Sequence, residues 1–318
     1  MSTVTAVILA AGKGTRMKSA KAKVLHELFF KPMLHHVLAA VTAAGIERQA
    51  VIVGHQREAV LASLAAYQIS PVVQEEQLGT GHAVLCAEAA CAEAELVMIL
   101  CGDTPLIRPE TLRAMLRQHQ ERGAVLSLMT TELDNPFGYG RIISSADGQV
   151  LRIVEEKDAD EGQRAVREIN AGIYLADRSF LFAALRQVGR NNSQGEVYLT
   201  DIVGIAVREG CRVENFVHCP AIDVLGVNSR VELAQAHAEL QLRRCHELML
   251  AGVTIYSPAT VLISPESVIG HDAVIHAGVH LIGGCKIGAG AVIGAHSVLR
   301  NCSVAAGGQV PPLTYQLD

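Results

Sequence analysis

Aliphatic residues recur every six positions near the end of this 318-residue chain. A period of six is neither the 3.6 of an α-helix nor the 2 of a β-strand. It is typical of a hexapeptide β-helix, in which each hexad forms one side of a triangular coil and its aliphatic residue points inward. Seven phased positions disfavour the alternative, an ordinary β-hairpin region, and amount to little more than two coils. The set is Ile263, Ile269, Ile275, Leu281, Ile287, Ile293 and Leu299.

The first part of the chain alternates between two other patterns. Residues 4–11, 49–53 and 96–100 are short apolar runs, and residues 34–44 and 111–122 have helical character between and after them. Such alternation predicts βαβ units and an α/β domain with a mostly parallel sheet covered on both faces. In sheets of this kind a ligand lies beyond the carboxyl ends of the strands.

A glycine-bearing loop follows the first predicted strand. It runs Gly12-Lys13-Gly14-Thr15-Arg16, and Lys23 comes seven residues later. Small residues bring backbone N–H groups close to an anion, which the cations neutralise, so the loop predicts a triphosphate cradle. Met17 excludes a dinucleotide fingerprint, and no Gly-Lys-Ser/Thr ending is present for a P-loop. An ordinary glycine turn with solvated cations is the alternative.

Two further stretches fit the same kind of ligand. Gln77–Ala83 precedes a predicted helix, and its glycines allow close approach to a flat base, with Thr80 expected as the helix N-cap. Cys101-Gly102-Asp103 ends the strand at 96–100, where a carboxylate suits Mg²⁺. A turn or N-cap aspartate is the alternative at Asp103.

Composition narrows the partners and the compartment. The net charge of −5 argues against non-specific nucleic-acid binding, which needs a basic surface. The eight cysteines form no CxxC pair or zinc-ligand spacing, which favours reduced thiols in a cytoplasmic protein. No apolar run reaches the roughly 18 residues of a membrane span. We therefore expect no nucleic-acid partner and no membrane association.

The texture of the chain changes twice, which predicts its domains. A long amphipathic helix is expected at 231–250, between the α/β part and the hexads. We expect a nucleotidyltransferase-type domain at 1–229, a linker helix at 230–251 and a short β-helix at 252–318.

Motifs in register carry a resemblance to a known family. They are Leu9–Met17, Lys23–His26, Gln77–Ala83, Gly138–Ile142, Ile153–Glu155, Glu168–Ile173 and Gly226–Asn228. Together they resemble the uridylyltransferase half of the bacterial bifunctional N-acetylglucosamine-1-phosphate uridylyltransferase/glucosamine-1-phosphate N-acetyltransferases. The resemblance spans about residues 5–250 and continues into the hexads.

The resemblance implies a fold and a reaction. The fold is a Rossmann-like nucleotidyltransferase domain followed by a short left-handed parallel β-helix, which assembles as a homotrimer in this family. The reaction joins UTP and N-acetylglucosamine-1-phosphate into UDP-N-acetylglucosamine with release of pyrophosphate, and Mg²⁺ is the cofactor. Another sugar-1-phosphate, dTTP in place of UTP, or a non-catalytic nucleotide-sugar-binding module are the alternatives.

The resemblance also assigns roles to individual residues. Arg16 and Lys23 would hold the triphosphate as catalytic cations, and Asp103 and Asn228 would ligate Mg²⁺. The remaining substrate contacts are Ala11, Gly12 and Gly14 around the nucleotide, Gln74, Gly79 and Thr80 at the uracil, Gly102 and Asn228, and Gly140, Glu155, Asn170, Tyr198 and Thr200 at the amino sugar.

The chain departs from the family pattern in four ways. Ala22 replaces a proline before Lys23, Phe30 replaces a glycine, and Cys101 replaces a tyrosine. The family's second half is a long β-helix that carries the acetyl-transfer histidine. This chain has about seven hexads, and no histidine in them matches that position, so we expect no acetyltransferase activity.

Overall fold

The protein forms two compact units. The structure, a computed structural model, describes residues 2–317. The first unit comprises the chain up to His26 together with Pro32–Ser229, and the second comprises Glu27–Lys31 together with the chain from Arg230 onward. Within residues 2–317, no helix is long and apolar enough to cross a membrane.

The helices have the following bounds. The α-helices are α1 Met33–Ala43, α2 Arg57–Ser63, α3 Thr80–Cys86, α4 Pro109–Arg122, α5 Glu161–Arg164, α6 Arg178–Leu185, α7 Asp201–Arg208 and α8 Arg230–Leu250. Short 3-10 turns lie at Thr15–Met17, Lys23–Leu25, Ala89–Cys91, Ala221–Asp223 and Pro258–Thr260.

The strands before α8 have the following bounds. They are β1 Val4–Ala10, β2 Glu27–Leu28, β3 Lys31–Pro32, β4 Arg48–Val53, β5 Ser70–Val73, β6 Leu96–Cys101, β7 Leu126–Glu132, β8 Arg141–Ser144, β9 Val150–Val154, β10 Glu168–Asp177 and β11 Val213–Val217. β2 and β3 pair in a small two-stranded sheet.

The first unit is built on one nine-stranded sheet. Its main order is β11-β7-β10-β6-β1-β4-β5, and the β8–β9 hairpin extends it from β10. The pairs of β1 with β4 and β6, of β4 with β5, and of β7 with β11 are parallel, whereas β10 is antiparallel to β6, β7 and β8. The predicted mostly parallel sheet is therefore confirmed.

Apolar cores cover both faces of this sheet. On β1, Ala6 and Ile8 lie in one core, and Val7 lies in the other. All three are fully buried, because successive side chains of a strand point to opposite faces. This two-sided burial is why the strands appear in the sequence as continuous apolar runs.

Parallel pairing brings loops that are distant in sequence to one edge. The Gly102 N–H, just after β6, donates to Leu9 O at 2.9 Å, and the His55 N–H, just after β4, donates to Ala11 O at 3.1 Å. The loops that follow β1, β4 and β6 therefore meet at the carboxyl ends of the strands, where the candidate site lies.

The second unit contains α8 and a parallel β-helix. The strands of the β-helix are β12 Thr254–Ile255, β13 Leu262–Ile263, β14 Val268–Ile269, β15 Val274–Ile275, β16 His280–Ile282, β17 Lys286–Ile287, β18 Val292–Ile293, β19 Val298–Arg300, β20 Ser303–Val304, β21 Gln309–Val310 and β22 Tyr315–Leu317. They form three parallel sheets, β12-β15-β18-β21, β13-β16-β19-β22 and β14-β17-β20.

The predicted β-helix is confirmed, but the expectation of little more than two coils is wrong. Strands stack four, four and three deep in the three sheets. The sequence hides the outer coils because their length changes: Val274 pairs with Val292 in the middle, whereas the first coil pairs Thr254 with Val274 and the last pairs Val292 with Gln309. A strict six-residue spacing is kept only where coils have 18 residues.

Each hexad buries a second side chain that the period did not single out. Two places before the aliphatic residues, Ala273, Val279, Cys285 and Ala291 are fully buried, whereas Val268, one place before Ile269, is 66% exposed. The alternation is that of a strand with one face inward.

Candidate active site

The loop after β1 is folded against the segment that carries Lys23. Gly14 has φ +59°, a left-handed conformation that favours glycine, and begins the 3-10 turn Thr15–Met17. A Cβ at Gly14 would lie 2.5 Å from the Lys23 Cβ. Lys23 itself begins the next 3-10 turn, after Ala22, whose φ of −53° lies within the range of a proline.

Two cations and two oxygen ligands meet above the sheet. The Lys23 ammonium forms an ion pair with Asp103 Oδ2 and donates to Asn228 Oδ1 at 2.6 Å. The Arg16 guanidinium donates to the same oxygen at 2.8 Å. The Val227 N–H donates to Asp103 O at 2.8 Å, which fixes the loop of Asn228 next to the end of β6. The predicted catalytic and metal residues are therefore neighbours.

A cavity of about 580 Å³ opens on this cluster. It contains the predicted nucleotide, cation and metal residues except Gly102, and the prediction missed Gln77, Cys101 and Glu196. Its lining is Leu9, Ala10, Ala11, Gly12, Lys13, Gly14, Thr15, Arg16, Lys23, Val24, Gln74, Gln77, Gly79, Thr80, Ala83, Cys101, Asp103, Glu196 and Asn228.

Gln77 is held at the floor of the cavity. Its Nε2 donates to Ala11 O at 2.9 Å and so ties the second loop to the first. The sequence offered a signal for it, because Gln77 opens the motif that contains Gly79 and Thr80. Gly79 has φ +114°, and a Cβ there would lie 2.5 Å from Val197 O, so only glycine fits this close approach.

The expectation that Thr80 caps α3 is wrong. Gly79 is the N-cap residue and Thr80 is the first residue of the helix. The Thr80 hydroxyl instead accepts from the Leu199 N–H at 3.1 Å. It therefore fastens the 197–199 segment beside the cavity instead of satisfying the helix's own N–H groups.

The residues predicted to hold the amino sugar do not line the same cavity. Glu155, Tyr198 and Thr200 line a second one of about 390 Å³. Gly140 and Asn170 line neither, although they are joined by the Asn170 N–H bond to Gly140 O at 2.9 Å. The structure thus groups the predicted sugar residues apart from the nucleotide cavity.

Within that group, hydrogen bonds hold the polar side chains. The Thr200 hydroxyl donates to Glu155 Oε1 at 3.1 Å. Burial raises the pKa of the Glu155 carboxyl, and the Thr200 hydrogen bond opposes the shift. The Asn170 amide donates to Tyr174 Oη at 2.6 Å and accepts from the Gly172 N–H at 3.0 Å.

The donor set fits a magnesium ion, which is the metal that the resemblance implies. Asp103 and Asn228 offer a carboxylate and an amide oxygen, and Mg²⁺ prefers such ligands together with substrate phosphates. The Lys23 ammonium contacts both side chains, so a positive charge already stands at this position. In the part of the chain that the structure describes, no group of three or more His, Cys, Asp or Glu is arranged for a metal.

Cys101 lines the cavity as a neutral thiol. Burial raises its pKa to about 12, and the Asp103 carboxylate adds to the shift while Lys23 opposes it. A thiol with this pKa is not a nucleophile near pH 7, because the thiolate is the reactive form. Cys101 therefore contributes packing to the site.

Comparisons with known proteins agree with this geometry. Residues 6–173 match the family model of the MobA-like NTP transferase domain, and residues 266–301 match that of the bacterial transferase hexapeptide (six repeats). In fold, the chain is similar to a Bacillus anthracis crystal structure described as a glucose-1-phosphate thymidylyltransferase in complex with sucrose. The TM-score is 0.60 at 18% identity, over 74% of this chain and 94% of that chain.

Curated relatives extend the similarity to nearly the whole chain. The chain is 52% identical over 305 residues to the bifunctional protein GlmU of Desulfotalea psychrophila, covering 96% of this chain and 90% of that protein. It is 48% identical over 306 residues to bifunctional protein GlmU of Geobacter metallireducens, covering 96% of this chain but 64% of that protein. The chain thus spans less than two thirds of the second relative.

These matches confirm the predicted family and the predicted enzyme class, a nucleotidyltransferase of the UDP-N-acetylglucosamine pyrophosphorylase type. The identity reaches 52% over nine tenths of one relative, and the family model covers more than half of the chain. The chain therefore belongs to the GlmU family of MobA-like NTP transferases.

Proposed function

We propose that this protein transfers the uridylyl group of UTP to N-acetylglucosamine-1-phosphate and releases pyrophosphate. The observation that carries the proposal is the convergence of Arg16, Lys23, Asp103 and Asn228 on one cavity at the strand ends. Two cations beside a glycine loop suit a triphosphate, and two oxygen ligands suit the metal that accompanies it.

The reaction needs positioning more than acid–base chemistry. A sugar-phosphate oxygen attacks the α-phosphorus of UTP in line, and pyrophosphate leaves. The attacking phosphate is already ionised near pH 7, so no general base is required. The protein has to hold two anions together and neutralise the charge of the transition state. Arg16 and Lys23 would supply that neutralisation.

Asp103 and Asn228 would hold Mg²⁺ beside these cations. When bound, the ion supplies Lewis-acid stabilisation to phosphate oxygens. The Lys23 ammonium, which contacts both ligands in the structure, has a phosphate group as its alternative partner in the loaded enzyme.

Gly140, Glu155, Asn170, Tyr198 and Thr200 are proposed to bind the amino sugar. Support comes from the hydrogen bonds that gather these groups, such as the bond from Thr200 to Glu155. We keep the proposed boundaries as well: a nucleotidyltransferase domain at 1–229, a linker helix at 230–251 and a β-helix at 252–318.

A substrate panel with pyrophosphate detection tests the proposal. UTP and dTTP are each paired with N-acetylglucosamine-1-phosphate and with other sugar-1-phosphates. We expect turnover to be fastest with UTP and N-acetylglucosamine-1-phosphate. Turnover of a different pair would establish another specificity, and tight UDP-sugar binding without turnover would indicate a binding module.

Asp103→Ala tests the metal assignment within the same assay. We expect a loss of about 100-fold or more in pyrophosphate release, because oxyanion and metal interactions of this kind are worth several kcal/mol. Asp134→Ala is the control, since the Asp134 side chain is 98% exposed and pairs only with Arg167 in the described residues. Full activity of the Asp103 variant would overturn the assignment.

The absence of acetyltransferase activity stays a prediction. Incubation with acetyl-coenzyme A and glucosamine-1-phosphate should release no free thiol above background. Steady thiol release that depends on the amino sugar would contradict it.

A further inference from the structure

The Gln74 side chain is held at two points. Gln74 follows β5 and is 4% exposed. Its Nε2 donates to Gly79 O at 3.1 Å and lies 3.1 Å from His82 Nδ1. No described residue forms a hydrogen bond with its Oε1, and Gln74 lines the large cavity. Both amide hydrogens are therefore used within the protein, and the amide oxygen is left for a ligand.

The chemistry of the partners fixes this orientation. A backbone carbonyl such as Gly79 O only accepts hydrogen bonds, so the amide nitrogen of Gln74 has to face it. His82 Nδ1 then has to accept as well, which places the proton of a neutral ring on Nε2. His82 Nε2 lies 3.9 Å from the sulfur of Cys86, one turn further along α3. The ring is thereby placed with its bare nitrogen toward Gln74.

We propose that His82 is a positioning residue that keeps the Gln74 oxygen toward the cavity and so makes the site select uracil over cytosine. The proposal rests on the proposed function, which puts a nucleobase beside Gln74. Uracil carries an N–H at N3, which suits an acceptor oxygen. Cytosine carries a lone pair at N3, which an acceptor oxygen repels.

His82 matters because a glutamine amide is nearly symmetric in shape. Turned over, Gln74 would present its NH₂ group, which suits the N3 of cytosine. That turn would bring the amide oxygen against Gly79 O and leave His82 Nδ1 without its donor. Thymine has the same N3–H as uracil, so this device does not separate UTP from dTTP.

Two matched substitutions separate the roles of the ring nitrogens. In His82→Asn, the side-chain oxygen takes the place of Nδ1, whereas in His82→Gln the polar end takes the place of Nε2. The ratio of kcat/KM for UTP to that for CTP is measured with each variant, together with the Kd of both nucleotides by calorimetry. We expect the ratio to fall roughly fivefold in His82→Gln, the value of one neutral hydrogen bond, and to stay near wild type in His82→Asn.

A structural role alone would not give this pattern. We expect kcat at saturating UTP to change less than about twofold in both variants, because His82 contacts neither Arg16 nor Lys23 nor Asp103 in the described residues. Thermal melting checks that each variant is folded. If His82→Gln does not fold, His82→Leu replaces it, since leucine also lacks the acceptor.

The outcomes distinguish the two proposals. An equal ratio in the Asn and Gln variants, or no preference of the wild type for UTP over CTP, would overturn the role of His82. Wild-type protein that binds UTP without transferring it would overturn the transfer reaction, while the Kd ratio would still test His82. Wild-type protein that binds neither nucleotide would overturn both.

Discussion

At the scale of single residues, Lys23 has more partners in the candidate site than its position in the sequence indicates. Its ammonium contacts Asp103 and Asn228, and its Cβ blocks any side chain at Gly14. Phe30 shows the opposite case: it replaces a glycine of the family pattern and adopts φ +73°, the left-handed region that favours glycine. Substitutions are therefore tolerated only where the neighbouring atoms leave room.

Gly14→Ala is expected to destabilise the protein by about 1–3 kcal/mol. The alanine would have to adopt the left-handed conformation, and its Cβ would meet the Lys23 Cβ at 2.5 Å. Gly12→Ala is the matched control, because a Cβ there has no heavy atom within 4 Å among the described residues. Chemical denaturation without ligand measures both, and equal stability of the two variants would contradict the prediction.

His119 is expected to make the stability depend on pH. Burial lowers its pKa to about 4 from 6.5, and its Nδ1 is bonded to Ser127 Oγ at 2.8 Å. The unfolded chain therefore binds the proton more readily, so stability is complete above about pH 6.5 and is lost as the pH falls toward 4. We expect a loss of about 1–2 kcal/mol over this window.

Denaturation at several pH values compares His119→Gln with His271→Gln. The first substitution should flatten the slope between about pH 6.5 and pH 4. The second changes an imidazole that is 75% exposed and should leave the slope as it is. A wild-type slope in the His119 variant would rule out this group as the source.

At the scale of elements, strand ends and coil stacking set the architecture. Parallel pairing of β1, β4 and β6 brings their loops together, and the backbone bond from Gly102 to Leu9 fixes that meeting point. In the β-helix, each coil lies directly on the next. A Cβ at Gly288 would lie 2.4 Å from Ala306 N, so glycine at this corner is required by the neighbouring coil.

Gly288→Ala is therefore expected to destabilise the β-helix by about 1–3 kcal/mol. Gly284→Ala is the matched control in the same coil, because a Cβ there meets no heavy atom within 4 Å in the described part of the chain. Hydrogen exchange localised to residues 274–310 measures the effect. Equal protection in the two variants would show that the coils separate enough to admit a methyl group.

At the scale of the whole molecule, the chain combines a catalytic unit with a repeat unit. The cavity, its cations and its oxygen ligands lie within the first unit, whereas the second unit has its own apolar core. The two units therefore have separate folding rules, one set by a twisted sheet and the other by stacked coils.

A homotrimer is the expected assembly, because the resemblance assigns trimers to this kind of β-helix. Its strands also expose apolar side chains, such as Val268 at 66% and Tyr315 at 71%. Such surface favours contact between copies. Light scattering over a range of concentrations should give three times the 33.9 kDa of the chain. A mass of one chain at every concentration would contradict the trimer.

The sequence by itself determined the features that depend on local pattern. Strand and helix alternation, the glycine loop, the strand-end aspartate and the six-residue period each follow from neighbours along the chain, and each predicted the right element. The motifs in register were enough to predict the family. Local periodicity was also enough to place aliphatic residues such as Leu281 inside the coils.

Only the tertiary structure decided what depends on distant contacts. Asn228 meets Lys23 across 205 positions of sequence, His82 faces Gln74, and Thr80 fastens Leu199 instead of capping its helix. The outer coils also appeared only there, because strand pairing tolerates coils of unequal length that break a strict period. Such contacts depend on the folded path of the whole chain, which no short stretch of sequence specifies.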